Sequence, residues 1–263
     1  MKPDISDRLK KIAEFVSDGE RVADIGTDHG LLALFLKERD ASIKMILSDV
    51  RIGPLEKARR NIAKHSCIEA FDIRMADGLQ ALRPGEADTV VIAGMGGSLI
   101  IDILMHDTAH SNSFKKFIFQ PRRDSVKLRQ WLAENGFAII DEALVREGKY
   151  ICEIIVSAPL QLAKASEEYD QDDFEFSPIL IQRSEPLWNA FLSAKIAAEK
   201  KALVKIEKAS ASAKLTEAGK YRREVIRGHI DKMYGMMMKP DEADRAASDE
   251  VSQKGGSNDD QHQ

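Results

Sequence analysis

Short apolar runs alternate along the chain with longer stretches whose apolar residues recur every three or four positions. The runs predict strands at Arg21–Ile25, Ile43–Ser48, Phe71–Met75, Thr89–Ala93 and Lys116–Phe119. Helical spacing predicts helices between them, at Leu31–Glu38, Leu55–His65, Ser98–Met105 and Ser125–Glu134. A short amphipathic helix comes first, with Ile5, Leu9, Ile12, Ala13 and Val16 on its apolar side, and Ser17-Asp18-Gly19 ends it. Val90-Val91-Ile92 and Phe117-Ile118-Phe119 show no polar alternation, which suits parallel strands covered on both faces. The order implies right-handed crossovers and a doubly wound α/β sheet. Phe137–Val145 and Tyr150–Val156 are strand-like too, but the link holding Glu147-Gly148 is too short for a helical crossover. That last pair is expected to be antiparallel, closing a mostly parallel seven-stranded sheet over residues 1–158.

Beyond Pro159 the character changes. Residues 159–184 read as an acidic linker, with Glu167, Glu168, Asp170, Asp172, Asp173 and Glu175 in a row of polar positions. Residues 185–239 read as a helical hairpin bent within Ser210–Gly219. One arm carries the stripe Leu192, Ile196, Leu203, Ile206 and Ala213; the other carries Val225, Ile230, Met233 and Met237. Along 195–239, twelve bases stand against five acids, a local excess of the kind that attracts phosphates. The plainer alternative is a solvated helix face. Residues 240–263 lack apolar periodicity and are expected to be disordered.

Composition narrows the classes. At 263 residues, with 43% hydrophobic and 31% charged, the chain suits one ordinary globular domain and an appendage. Only 6% is aromatic, which argues against a platform stacking many bases. Cys67 and Cys152 have no CxxC partner, so neither a zinc site nor a disulfide framework is indicated, and a reducing cytoplasm is expected. No apolar stretch reaches about 18 residues, so no signal peptide or membrane span is expected. The net charge of −4 excludes a uniformly basic nucleic-acid binder but not one with a local basic surface.

The candidate chemistry starts at Val22–Gly30, a strand that runs into a glycine turn exposing Asp24, Thr27, Asp28 and His29. In open α/β sheets ligands bind at the carboxyl ends of the strands. Gly26 and Gly30 do not give the G-x-G-x-x-G spacing of a dinucleotide fingerprint, and two carboxylates would repel a pyrophosphate. They suit a cationic or zwitterionic ligand such as the methionine end of S-adenosylmethionine. Asp49 closes the second strand, where a carboxylate can accept from both ribose hydroxyls of an adenosine; a turn or N-cap role is the alternative. Asp77, followed by Gly78, repeats the arrangement after the third strand, as an acceptor for an adenine amino group or as an N-cap. The fourth strand ends in Ala93-Gly94-Met95-Gly96-Gly97, where backbone can approach a ligand closely, and the fifth in Gln120-Pro121-Arg122-Arg123.

These motifs, in this order, closely resemble the bacterial tRNA (adenine-22-N1)-methyltransferase family, within the class I S-adenosylmethionine-dependent methyltransferases. The resemblance rests on D-I-G-T-D-H at Asp24–His29, Asp49 with Gly53-Pro54, A-D-G-L at Ala76–Leu79 and A-G-M-G-G at Ala93–Gly97. It continues through Gln120-Pro121 and G-K-Y-x-x-E at Gly148–Glu153, covering about residues 5–158. Two positions depart from the pattern: Arg122 stands where the family has Asn, and Asp49 where it has Glu.

The resemblance implies a Rossmann-like fold, S-adenosylmethionine as cofactor, tRNA as partner and 1-methyladenosine in the D-arm region as product, with no metal. It implies a cofactor pocket of Asp24, Gly26, Thr27, Asp28, His29, Asp49, Asp77, Gly78, Ala93, Gly94 and Met95. Arg8, Gly96, Gly97, Gln120, Pro121 and Arg122 are expected on the acceptor side, with Lys201, Arg222 and Arg223 of the hairpin on the RNA. Asp28, His29 and Met95 are expected nearest the transfer. A monomer is expected, with no DNA and no membrane partner. Adenine N1 is already a nucleophile, so alignment with the donor methyl is the main task. A paired or stacked adenine must first be swung out, and the cationic product needs carboxylates or carbonyls nearby, for which Asp28 and Ala93–Gly96 are candidates. A small-molecule methyltransferase and a non-catalytic cofactor- and RNA-binding protein are the alternatives on the same fold.

Overall fold

The computed structural model describes residues 5–65, 70–163, 173–212 and 216–237. Cys67, Lys214, Lys239, most of the acidic stretch and the polar tail lie outside them.

Seven strands form one sheet in the order β3-β2-β1-β4-β5-β7-β6. They are β1 (Arg21–Ile25), β2 (Lys44–Asp49), β3 (Phe71–Met75), β4 (Thr89–Met95), β5 (Lys116–Pro121), β6 (Phe137–Glu147) and β7 (Tyr150–Pro159). The first five pair in parallel; β7 joins β5 and β6 antiparallel. The expected seven-stranded sheet with its closing hairpin is the observed one, and it is the class I methyltransferase arrangement. Successive residues of each central strand serve opposite faces. Val22, Leu47, Val91 and Ile118 join the core beneath α1 (Asp7–Glu14), α2 (Leu31–Arg39) and α3 (Ile52–His65). Ala23, Ile25, Val90, Ile92, Phe117 and Phe119 join the core beneath α4 (Gly97–Met105) and α6 (Ser125–Glu134). Because both faces are covered, the runs carry no polar alternation.

Boundaries differ where punctuation residues mislead. The helix expected from Leu55 already begins at Ile52, with Gly53-Pro54 inside it, since proline is tolerated in a first helical turn. Two short helices, α5 (Thr108–Ser111) and α7 (Pro178–Gln182), were not expected; each has too few residues to show a period.

The chain divides into two compact units, the first ending at Ile179 rather than at residue 158. Ile179 packs against the core, and Arg129 Nη1 donates to Phe174 O at 3.3 Å, so part of the expected linker belongs to the sheet domain.

The second unit holds α8 (Trp188–Ser212) and α9 (Glu217–Gly235), which pack against each other. Each helix intrudes on the expected bend of 210–219, and Thr216 caps α9 by accepting from Gly219 N at 3.2 Å. Leu192 and Ile196 on α8 and Ile226, Ile230 and Met233 on α9 are buried. Val225, expected in the α9 stripe, is 43% exposed; Ile226 takes that position. Ile226 stands four before Ile230 and seven before Met233, the helical spacing that Val225, five before Ile230, misses.

Candidate active site

β1 lies between β2 and β4, so the chain reverses its direction of growth across the sheet at the β1–β4 border. A crevice outside the carboxyl ends of the strands is expected at such a point. Gly26 N and Thr27 N both donate to Ser48 O, at 2.8 and 2.9 Å, which draws the turn after β1 onto the end of β2. Gly26 adopts φ 77°, open to glycine but costly for other residues. His29 and Gly30 follow with φ 66° and 65°, and Asn61 Nδ2 donates to His29 O at 3.0 Å, holding this left-handed pair before α2.

The residues of this turn sit at two depths. Asp24 and Thr27 are buried. Burial pushes the Asp24 carboxyl up to about 6; the Thr27 hydroxyl and Arg8 offset part of the rise, and Asp49 adds to it. The Thr27 hydroxyl is buried beside Asp24 and has no other hydrogen-bond partner among the described residues. Asp28 and His29 reach outward, their side chains 71% and 42% exposed, with His29 Nε2 at 3.3 Å from Asp28 Oδ1.

Asp49 is buried at the end of β2, and its Oδ1 accepts from Arg51 N at 2.7 Å. The turn role is therefore real, but it uses one oxygen; Oδ2 has no partner among the described residues. Val50, Ile52 and Met75 are exposed around it, an apolar rim beside a carboxylate. Asp77 occupies the N-cap position of the 3-10 helix Gly78–Ala81, yet its exposed side chain makes no capping bond. Gly78, at φ 52°, lies against Ile103; a β-carbon there would stand 3.0 Å from Ile103 Cγ2.

At the end of β4 the ladder breaks between Ala93 and Met95, and Gly94 takes φ 76°. Met95 then crosses to the turn after β1, where a β-carbon on Gly26 would overlap its Cε. The Met95 carbonyl accepts from Arg122 N at 2.7 Å and the Gly96 carbonyl from Ile100 N at 3.0 Å, so two of the expected product-stabilising carbonyls already hold internal bonds. Gln120, expected as an acceptor-side amide, is buried: its Oε1 accepts from Gly94 N at 3.2 Å and its Nε2 donates to Pro121 O at 3.1 Å. It fixes the two strand ends against each other. Gly97 N donates to Arg123 O at 2.8 Å, and a β-carbon on Gly97 would overlap Asp124 O. Arg122 is exposed beside Gly94. Arg8 is not free toward an acceptor as expected; its Nε is paired with Glu147 Oε2 at 2.8 Å and ties α1 to β6.

Sequence reasoning missed a buried network behind this loop. Arg129, on α6, donates to Glu142 Oε1 and to Glu153 Oε1, both at 2.7 Å, and Ser125 Oγ donates to Glu153 Oε2 at 2.8 Å. Desolvation pulls the Arg129 pKa down, but the two carboxylates outweigh it and the net shift is upward. The available signal was a charge on an otherwise apolar helix face and another inside a buried strand. A separate cleft of about 510 Å³ at the amino ends of the strands holds Glu20, Asp88, Lys115 and Lys116. Its carboxylates are already neutralised, by Lys116 at 3.0 Å and Lys115 at 2.8 Å, so it lacks the open acids of the switch-point crevice.

Residues 5–155 match the family model described as a methyltransferase domain. The chain belongs to that family. Over 153 residues it is 33% identical to the tRNA (adenine(22)-N(1))-methyltransferase of Bacillus subtilis, a match spanning 58% of this chain and 64% of that relative. The curated match thus covers less than two thirds of the relative's length. Among solved structures, Sp1610 of Streptococcus pneumoniae in complex with S-adenosyl-L-methionine is 30% identical, with a TM-score of 0.72 over 89% of this chain and 100% of that one. The Bacillus subtilis M1A22 tRNA methyltransferase TrmK is 25% identical, with a TM-score of 0.73 over 90% and 100%.

In this methyltransferase-domain protein the hairpin residues expected on RNA lie in the second unit. Lys201 and Arg222 are exposed, and Arg223 Nε is 3.3 Å from Glu224 Oε1. Among the described residues no helix is long and apolar enough to cross a membrane.

Proposed function

We propose that the protein is an S-adenosylmethionine-dependent tRNA methyltransferase of the cytoplasm that modifies N1 of adenine 22 in the D-arm region. The observation that carries the reading is the set of buried acidic and hydroxyl groups gathered at the carboxyl ends of β1 and β2. These are the desolvated Asp24 carboxyl with the Thr27 hydroxyl beside it, and the second oxygen of Asp49, above the Gly26 turn. Their chemistry fits an amino-acid zwitterion at one end and a ribose at the other. The names of the Bacillus subtilis relatives and the S-adenosyl-L-methionine complex of Sp1610 support the same choice.

When bound, S-adenosylmethionine supplies an electrophilic methyl group on a sulfonium. Asp24 would hold the ligand's amino group, Asp49 the ribose hydroxyls and Asp77 the adenine amino group. Gly94–Gly97, braced by Gln120 and by Arg122 N, form the floor for the acceptor base. N1 needs no base to activate it, so the protein's part is alignment and exclusion of water. Asp28, exposed and next to His29, is placed to stabilise the positive charge that grows on the methylated ring. His29 orients that carboxylate.

Incubating the full chain with unmodified tRNA and S-adenosylmethionine, then digesting to nucleosides for mass spectrometry, tests the reading. One 1-methyladenosine per tRNA, lost when adenine 22 is replaced by guanine, is expected. Absence of methylated nucleoside overturns it.

A further inference from the structure

The β6–β7 hairpin is longer than closing the sheet requires. β7 pairs with β5 through Ile155, Val156 and Ser157, opposite Phe119, Ile118 and Phe117. Five further pairs within the hairpin, from Ala143–Ile154 to Glu147–Tyr150, form past that point. Continuing the register sets Glu153 level with Pro121, the last residue of β5, and leaves Cys152, Ile151 and Tyr150 beyond it. Three residues span about 10 Å, so the tip stands on the side where the parallel strands end and the crevice opens. Electrostatics agrees: the charges of Arg122 and Arg8 both act on the Cys152 thiol, and Arg8 acts on Asp24 as well.

Two acids clamp this overhang, one on each face. Glu147 takes Arg8 of α1 at 2.8 Å, and Glu153 accepts from Arg129 and Ser125 of α6 at 2.7 and 2.8 Å. Gly148, at φ 59°, opens the two-residue turn Gly148-Lys149, a position that favours glycine. Of the motif Gly148–Glu153, the first and last residues thus have a structural task, whereas Lys149 and Tyr150 have none. Within residues 143–154 both acids are engaged by arginines, while Arg146 and Lys149 form no ion pair among the described residues. Asp28, the exposed acid of the crevice, follows β1, which β4 and β5 separate from β7. Tyr150 lies opposite Glu147 and two residues from Cys152, so it shares the α1 face. It is 65% exposed, although an aromatic ring is among the most favourable groups to bury. Lys149 Nζ stands over one face of the ring, 5.2 Å from its centroid.

Resting on the proposed tRNA reading, we infer that the overhanging tip is a wall for the substrate strand. The free face of Tyr150 stacks on a base adjoining the adenine to be methylated, and Lys149 pairs with a flanking phosphate. Gly94–Gly97 is the floor for the adenine itself, and the tip stands outside it, where the strand enters. An adenine that leaves its stack uncovers its neighbour, and a ring offered to that neighbour offsets part of the lost stacking. Stacking on an aromatic ring tolerates any base, so the wall holds the strand without reading its sequence. The clamps on both faces keep the tip in place before RNA arrives.

The test uses the full-length protein and its variants Tyr150→Ala, Tyr150→Phe and Lys149→Gln. It measures kcat and KM for tRNA, KM for S-adenosylmethionine, the salt dependence of tRNA binding, and Tm. Tyr150→Ala is expected to lower kcat/KM for tRNA about tenfold, and Tyr150→Phe to keep the wild-type value because its ring still stacks. Lys149→Gln is expected to reduce the slope of log affinity against log salt by about 1. KM for S-adenosylmethionine and Tm stay at wild-type values, which a disturbed fold would move. A benzophenone side chain in place of Tyr150 locates the contact, with cross-links expected to nucleotides beside adenine 22. Unchanged kcat/KM in Tyr150→Ala, an equal loss in Tyr150→Phe, an unchanged salt slope, or cross-links confined to distant nucleotides overturns the inference. Should Tyr150→Ala unfold, the salt slope and the cross-links decide. The tRNA reading still stands in those cases if the wild type makes 1-methyladenosine. If the wild type neither binds nor methylates tRNA, both fall.

Discussion

Gly26 and Met95 interlock across the switch point of the sheet: the Met95 side chain fills the space a β-carbon on Gly26 would take. The first and fourth strands thereby set each other's carboxyl ends. Gly26→Ala should cost about 1–2 kcal/mol from the left-handed backbone alone, and displacement of Met95 adds to that. We expect a lower Tm and at least tenfold weaker S-adenosylmethionine binding by calorimetry. Adding Met95→Ala should recover part of the binding loss but none of the backbone strain. A double variant no better than the single one would show that the overlap is not the cause.

Asp24 gives a pH dependence with a definite sign. Its folded pKa, about 6, lies above the usual carboxylate value because burial disfavours the charged form. Its contribution to stability is therefore present at low pH and lost as pH rises through about 6. At pH 8, Asp24→Asn should stabilise the ligand-free protein by up to about 3 kcal/mol, with the gain vanishing near pH 4. The ionised carboxylate is what a cationic amino group needs, so wild-type affinity for S-adenosylmethionine should fall as pH drops below about 6. Titrations at pH 5 and 8 with equal affinity would remove Asp24 from the site.

Asp28 and His29 separate catalysis from folding. Asp28 is exposed, so Asp28→Ala should abolish turnover while leaving denaturant unfolding within about 0.5 kcal/mol of wild type. Single-turnover methylation at the normal rate would exclude Asp28 from the reaction. His29 holds a left-handed backbone, so His29→Gly should raise stability by up to about 1 kcal/mol and His29→Ala should not. The exposed Asp28–His29 contact contributes little to stability in either case.

The buried network of Arg129, Glu142, Glu153 and Ser125 predicts a stability effect. Arg129→Met leaves Glu142 and Glu153 facing each other without their cation, and loss of one partner of a buried pair costs about 3–5 kcal/mol. Urea unfolding would register this as a lower midpoint, and an unshifted midpoint would contradict it. Ser125→Ala, which removes one hydrogen bond, should cost about 1 kcal/mol.

Much of this architecture is legible in the residues. Apolar runs such as Val90-Val91-Ile92 and Phe117-Ile118-Phe119 and one short Glu147-Gly148 link carry most of the sheet and its closing hairpin, because strands covered on both faces do not alternate, whereas β3, Phe71-Asp72-Ile73-Arg74-Met75, alternates at the edge of the sheet. Asp24, Asp49 and Asp77 stand out as candidates because an acid at three successive strand ends is not asked for by packing, and the structure places them at or just beyond the carboxyl ends of β1, β2 and β3. Side-chain direction is not legible in this way. Nothing local says that Gln120 turns inward to Gly94, or that Arg8 spends its charge on Glu147, since both depend on residues 26 and 139 positions away. The same holds for Arg129, whose two carboxylates come from β6 and β7.

The most direct measurement is a crystal structure of the full chain grown with S-adenosylmethionine. The account predicts the ligand in the β1–β4 crevice, its amino-acid end at Asp24 and Gly26 and its ribose on Asp49. A crevice left empty at saturating ligand, or density for the ligand elsewhere, would contradict it.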